Sequence, residues 1–294
     1  MLFSYILSSL YQILGRGCGS GNIIVLEWVI YIMKIGFFDS GLGGLILLKA
    51  TAKALPDYDY FYYGDTANLP YGDKTEEEIY EFSKTAMEYL FNEGCVLVII
   101  ACNTASAETL RKLQDTFLPT YAPEKRILGV IIPTIEALNE SGCKDALLLA
   151  TRRTVNSKKY EKELALKGLP DIAIDSVATP QLVPLIERGE ITEAVEEAEK
   201  IIQTRPRRGD SVILGCTHYT LLKDSLREKF SDLTFISQDE VIPNKLSDYL
   251  NAHPEIESKL SRNGKRQIFL TEHRPDYDQV MSQMLGGVYL PADS

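Results

Sequence analysis

Val96–Leu110 reads VLVIIACNTASAETL, an unbroken aliphatic run that stops at a cysteine and passes at once into small polar residues. Five aliphatic residues bounded in this way predict a buried strand, and the Ser, Ala and Glu that follow predict the opening of a helix. Cys102 therefore stands at a strand-to-helix corner. Backbone N–H groups without an intrahelical partner converge at such a corner, together with the positive end of the helix dipole. That setting is expected to lower a thiol pKa and to attract carboxylates.

The same construction recurs at Ser211–Leu222, SVILGCTHYTLL, where Cys216 follows an aliphatic run and precedes a hydroxyl residue and an expected helix. Two cysteines in matching contexts, one in each half of the chain, point to two related halves facing each other across a shared site. A pair of opposed thiols is a chemical proposal in itself. One takes a proton from a carbon while the other supplies one from the opposite face, which inverts a stereocentre.

From Lys34 onward strand and helix signals alternate, which favours an α/β protein with largely parallel sheets. KIGFF and Tyr58–Tyr63 read as strands, the latter with its tyrosines packed in the core; Thr75–Glu78 reads as a capping box for a helix to about Asn92. Ser157–Leu166 reads as one helix, Ile191–Thr204 as another, and Ile242–Leu250 as a third near the end. Ligands of such sheets bind beyond the carboxyl ends of the strands, so the informative residues follow each apolar run. They are Asp39 and Ser40, Pro70, Tyr71 and Gly72, then Cys102, Asn103 and Thr104. In the second half they are Thr151 and Thr154, then Cys216, Thr217 and His218. The set contains no arginine clamp, so an anionic ligand is expected to be held by backbone amides and hydroxyls at helix starts.

Composition limits the alternatives. With 294 residues, 45% apolar and 24% charged, the chain has length for two domains with sizeable cores. A net charge of −10 argues against a nucleic-acid surface, and Arg205–Arg208 is only a short cluster placed on a loop. Five cysteines without CxxC spacing, and three histidines none of which stands at ligand spacing to a cysteine, predict free thiols in a reducing, cytoplasmic compartment and no metal. Cys18, Cys95 and Cys143 read as inert. DSGLGG lacks the GxGxxG spacing and no Walker lysine occurs, so no cofactor is expected. Residues 1–33 hold two short apolar pieces split by GRGCGSG, without a basic start or cleavage site. They read as a dispensable extension, with a peripheral membrane anchor as the minority reading.

FFDSGLGGL, GDTANLPYGDKT, IIACNTASA, TRRTVNSKKY, TPQLVPLIERGE and ILGCTHYTLL stand in this order. Together they resemble the motifs of glutamate racemase, the cofactor-independent enzyme that supplies D-glutamate for bacterial peptidoglycan, from about Met33 to the C-terminus. The resemblance implies two similar α/β domains with mostly parallel sheets, pseudo-twofold related, with the active site in the interdomain cleft. Their bounds are expected at residues 34–126 with 236–294, and at 127–235. It implies that Cys102 and Cys216 are the acid/base pair, the first deprotonating the D- and the second the L-enantiomer. Asp39 and His218 match groups that assist them, and Glu187 an acidic residue near the second. Asp39, Ser40, Tyr71, Gly72, Asn103, Thr104, Thr151, Thr154, Thr217 and His218 match substrate contacts. A homodimer is implied as well. Thr220 stands where the family usually has proline, Thr179 where cysteine is common, and Ala150 where glycine is usual.

Singly, these residues have plainer readings. A buried cysteine after a strand is usually a small hydrophobe, Asp39 a turn or cap residue, and Glu187 a solvated helix end. The pairing of two cysteines in twin contexts is what reverses this. Competing readings are a racemase for aspartate or another amino acid, a non-catalytic binding protein on the same scaffold (some glutamate racemases bind DNA gyrase), and a dithiol redox protein, which needs its sulfurs within bonding distance.

Overall fold

Short apolar runs, aliphatic or aromatic and mostly buried, form the central strands, and amphipathic segments between them form the covering helices. The structure, a computed structural model, describes residues 33–205 and 210–285. In chain order the elements are β1 (Lys34–Asp39), α1 (Gly44–Ala54), β2 (Tyr60–Gly64), α2 (Glu76–Asn92), β3 (Cys95–Ile100), α3 (Asn103–Lys112) and β4 (Arg126–Gly129). There follow α4 (Ile131–Glu140), β5 (Asp145–Ala150), α5 (Arg152–Ser157), α6 (Lys159–Leu166), β6 (Ala173–Ala178), α7 (Leu182–Glu187), α8 (Ile191–Thr204) and β7 (Ser211–Gly215). The last are α9 (Lys223–Lys229), β8 (Thr234–Ile236), α10 (Gln238–Ala252), β9 (Arg266–Leu270) and α11 (Pro275–Leu285), with short helical turns between several of them.

The strands form two sheets, ordered β4-β3-β1-β2-β9 and β6-β5-β7-β8, and every described ladder is parallel. The second order repeats the first four strands of the chain: β2-β1-β3-β4 becomes β6-β5-β7-β8. Cys102 after β3 and Cys216 after β7 are thus equivalent positions of one repeated pattern. In each sheet the order reverses at a switch point, between β1 and β3 and between β5 and β7, where open parallel sheets bind ligands.

The continuous apolar runs follow from burial on both faces. Ile35, Phe37, Leu97 and Ile99 pack into one core, while Phe38, Val98 and Ile100 pack into another on the opposite face. The second sheet divides likewise, with Leu147, Leu149, Val212 and Leu214 on one side and Leu148 and Ile213 on the other. Each such side chain contributes roughly 1.5–3 kcal/mol of burial. Tyr60 and Tyr62 are fully buried, as the sequence suggests, and donate their hydroxyls to Leu55 O and Gly41 O, both at 2.8 Å.

The capping box at Thr75 forms: its N–H donates to Glu78 Oε2 at 2.8 Å and its Oγ1 accepts from Glu78 N at 3.3 Å. The helix expected over Ser157–Leu166 forms as α6 from Lys159, and a separate helix, α5, precedes it and ends at Ser157, the two parted at Lys158 with φ 51°. After Cys216 the chain makes a tight 3₁₀ turn, Thr217–Leu222, before α9 begins. The proposed extension as far as residue 32, with Cys18, and the greater part of the Arg205–Arg208 cluster lie outside the described residues. Arg205 itself pairs with Asp175 at 3.4 Å. Among the described residues no helix is long and apolar enough to cross a membrane.

Candidate active site

The two switch points open on one cavity of about 250 Å³. From the first sheet Ser40, Tyr71, Gly72, Cys102, Asn103 and Thr104 line it; from the second, Thr151, Glu187, Cys216, Thr217 and His218. Asp39 and Thr154 are buried and lie behind this wall. Both cysteines are free thiols.

Cys102 is itself the N-cap of α3, and its Sγ accepts from Ala105 N at 3.5 Å and meets Ser40 Oγ at 3.3 Å. Those contacts and the helix dipole favour a thiolate. Burial outweighs them, and with the charge of Asp39 it pushes the thiol up to about 12. The expected lowering of this thiol pKa is therefore not met, because the corner is dry. Asp39 sits directly behind it. Its Oδ2 accepts from Gly41 N at 3.1 Å while its Oδ1 is buried without a hydrogen bond. Burial raises the Asp39 pKa, against the opposing pull of His218 and of the Gly41 and Gly44 amides.

Around Cys216 the neighbours differ. His218 Nδ1 stands 3.8 Å from Cys216 Sγ, and His218 Nε2 stands 3.3 Å from Glu187 Oε1. The second contact has ion-pair distance but not hydrogen-bond alignment, since Nε2 counts among the buried polar atoms without a hydrogen-bond partner. Burial alone pulls the His218 pKa down; the contacts with Cys216 and Glu187 overcome it and hold the imidazole well above its usual range. Gly43, in the DSGLGG motif, makes this placement possible. A Cβ there would fall 2.4 Å from Thr217 Oγ1 and 2.7 Å from His218 Nδ1, so the first motif's backbone presses directly on the second cysteine's neighbours.

Hydroxyls join the two sheets at the cavity floor. Thr104 Oγ1 lies 2.8 Å from Thr151 Oγ1 and 3.4 Å from Thr154 Oγ1, and the latter two are 3.0 Å apart. Their rotatable hydrogens can turn toward an acceptor such as a carboxylate. Tyr71 contributes differently, since its hydroxyl is already given to Asp65 Oδ2 at 2.6 Å.

The wall also holds residues that the sequence reading did not assign to the site, three of them polar. Arg152 and Asp73 are in the wall, so the expectation of no arginine is corrected: the first residue of α5 is a cation at the cavity. The signal was present in TRRT, one residue past Thr151, but its side was not legible until α5 was seen to end at Lys158. Thr179 is the third. It shares its hydroxyl with Tyr219 OH at 2.6 Å and Ala150 O at 3.0 Å, which joins β6, β5 and the Cys216 turn.

A family model described as Asp/Glu/Hydantoin racemase matches residues 46–242. The chain belongs to that racemase family. It is 39% identical over 241 residues to the glutamate racemase of Dinoroseobacter shibae, covering 76% of this chain and 86% of that one. It is 36% identical over 258 residues to that of Roseobacter denitrificans, covering 83% and 93%. Among solved structures it resembles the glutamate racemase of Francisella tularensis in complex with D-glutamate. That match has a TM-score of 0.78 and 26% identity, over 88% of this chain and 95% of that one.

Proposed function

We propose that this chain interconverts L- and D-glutamate by direct proton transfer between two thiols. The observation that carries the reading is that Cys102 and Cys216, from equivalent corners of two repeated sheets, line one small cavity. The relatives named as glutamate racemases, and the Francisella structure with D-glutamate, support glutamate as the substrate.

An α-hydrogen is a very weak acid, so the site must supply a desolvated base and donors for the charge that develops on the α-carboxylate. In the L-to-D direction Cys216 Sγ takes the α-hydrogen. The C–H pair moves into the carboxylate, and Cys102 S–H delivers its proton to the opposite face. The high pKa of Cys102 keeps it protonated for this step. His218, 3.8 Å from Cys216, is placed to exchange a proton with it, and Glu187 holds His218 charged. Asp39 and Ser40 attend Cys102; the Thr104, Thr151, Thr154 and Thr217 hydroxyls, the Tyr71–Gly72 turn and Asn103 take the carboxylates. The same reading makes each sheet with its helices one α/β domain, the enzyme a cytoplasmic homodimer, and its product the D-glutamate of peptidoglycan.

Chiral analysis of the products from L-glutamate and L-aspartate tests the substrate: inversion of glutamate is expected, and inversion of aspartate alone would overturn the reading. In deuterated water the product should carry α-deuterium. Cys102→Ala and Cys216→Ala should each lower kcat/KM in both directions by at least about 10²–10⁴-fold; substantial turnover in either variant rejects the two-thiol scheme.

A further inference from the structure

A buried polar cluster lies beside the cavity; it includes Asn103, to which the reading above gives a carboxylate, and its other members take no part in the proton transfer. Asn103, the first residue of α3, and Gln238, the first residue of α10, are 2% and 3% exposed. Their amides pair reciprocally: Asn103 Nδ2 donates to Gln238 Oε1 and Gln238 Nε2 donates to Asn103 Oδ1, both at 2.9 Å. Such a pair is directionless by itself. Turning both amides over together would preserve both hydrogen bonds.

Thr134 removes that symmetry. Its hydroxyl hydrogen is committed to Val130 O at 2.7 Å, so its oxygen can only accept, and Gln238 Nε2 reaches it at 3.4 Å. A reversed Gln238 would set a carbonyl oxygen against that oxygen, and the Thr134 hydroxyl could meet it only by giving up Val130 O. Once Gln238 is fixed, Asn103 must point Oδ1 at Nε2, and Tyr160 OH donates to the same Oδ1 at 2.9 Å. The Asn103 oxygen is thereby filled. Its second Nδ2 hydrogen has no hydrogen bond among the described residues, and Asn103 lines the cavity.

We infer that Gln238 is a positioning residue: anchored by Thr134, it holds Asn103 so that the cavity meets an amide N–H and never a carbonyl oxygen. The complementary group is a substrate carboxylate, so the inference rests on the racemase reading. It concerns binding rather than proton transfer. Asn103 reversed would present an acceptor to an anion, and a competent orientation populated only in part weakens apparent affinity by that fraction.

The test measures KM and kcat for both glutamate enantiomers, with circular dichroism and thermal unfolding as the check on folding. Gln238→Leu should raise KM about tenfold while kcat stays within about twofold. Gln238→Glu adds a readout that packing alone would not give. An ionised carboxylate can only accept, so it sets an oxygen against Asn103 Oδ1 with no hydrogen between them, loosens the hold on Asn103 and raises KM at high pH; protonation of the buried acid at lower pH restores a donor and brings KM back toward the wild-type value. Thr134→Val, nearly isosteric, should raise KM about twofold by leaving both orientations populated, and it decides the matter if the Gln238 variants do not fold. Folded variants with wild-type KM, or with kcat lost at unchanged KM, overturn the relay. Wild-type enzyme that fails to racemise glutamate overturns instead the reading beneath it.

Discussion

Cys102 and Cys216 occupy equivalent corners yet keep unlike company: a buried carboxyl and a serine beside the first, an imidazole held by Glu187 beside the second. The His218–Glu187 contact gives a pH prediction. A raised imidazole pKa means the charged form is favoured below the unfolded value of 6.5 and that its contribution is lost as pH rises through the higher folded value. Glu187→Gln should therefore move the alkaline limb of kcat/KM to lower pH. The shift should be small, because the Glu187 side chain is 41% exposed and its charge is screened. A pH profile of the two proteins checks it, and because enantiomers have equal energies, kcat/KM should change equally in both directions. Arg152, at the rim of a chain with net charge −10, offers attraction to an anionic substrate. Arg152→Ala should raise KM a few-fold at low salt with kcat unchanged; no change in KM would count against it. The cysteines, Asp39 and His218 were legible because an aliphatic run ending in a reactive side chain is a local pattern. The acidity of Cys102 was not, since it depends on how much water the folded corner excludes.

The elements themselves were largely written in the sequence. Strand runs buried on both faces and the TEEE cap are local signals, and each formed where expected. Thr75→Ala should cost about 1 kcal/mol through loss of the α2 cap, which denaturant unfolding would register as a lower midpoint at unchanged slope. What escaped were the interruptions. The break at Lys158 needs a left-handed residue that is not glycine, and no residue type announces it. The start of α10 at Gln238, four residues before the expected Ile242, lies ahead of Pro243, which the helix carries in its interior. Between α9 and α10, Glu240 takes Arg227 and Lys223 at 2.7 and 2.9 Å, and those cations lower its pKa to about 2. Its contribution is present above the ordinary value of 4.5 and is lost as pH falls toward 2. Glu240→Gln should flatten stability against pH in that window, as urea titrations would show.

The described residues, 33–205 and 210–285, fall in one compact unit, and Met33 O accepts from both Ser261 N and Ser261 Oγ, at 2.9 and 2.8 Å. Deleting residues 1–32 should leave soluble, active enzyme; loss of soluble protein would give the extension a structural part. The repeated strand order was only half visible in the sequence. Two cysteine motifs suggested it, but the order of strands within a sheet depends on contacts far apart in the chain.

The chain passes between the sheets twice among the described residues, after β4 through α4 and after β8 through α10, and Lys245 of α10 meets Glu136 and Glu140 of α4. Two neighbouring straps would serve as a pivot if the sheets turned against each other. Jaws that turn about it sweep arcs in proportion to their distance, so Asn103, bonded to the first residue of one strap, sits near the still point. A ligand-bound structure in which Asn103 moved more against Gln238 than Cys102 moved against Cys216 would contradict this. Otherwise the enzyme can grip its guest at the pivot while the sulfurs are still apart, and opening the mouth need not loosen the hold.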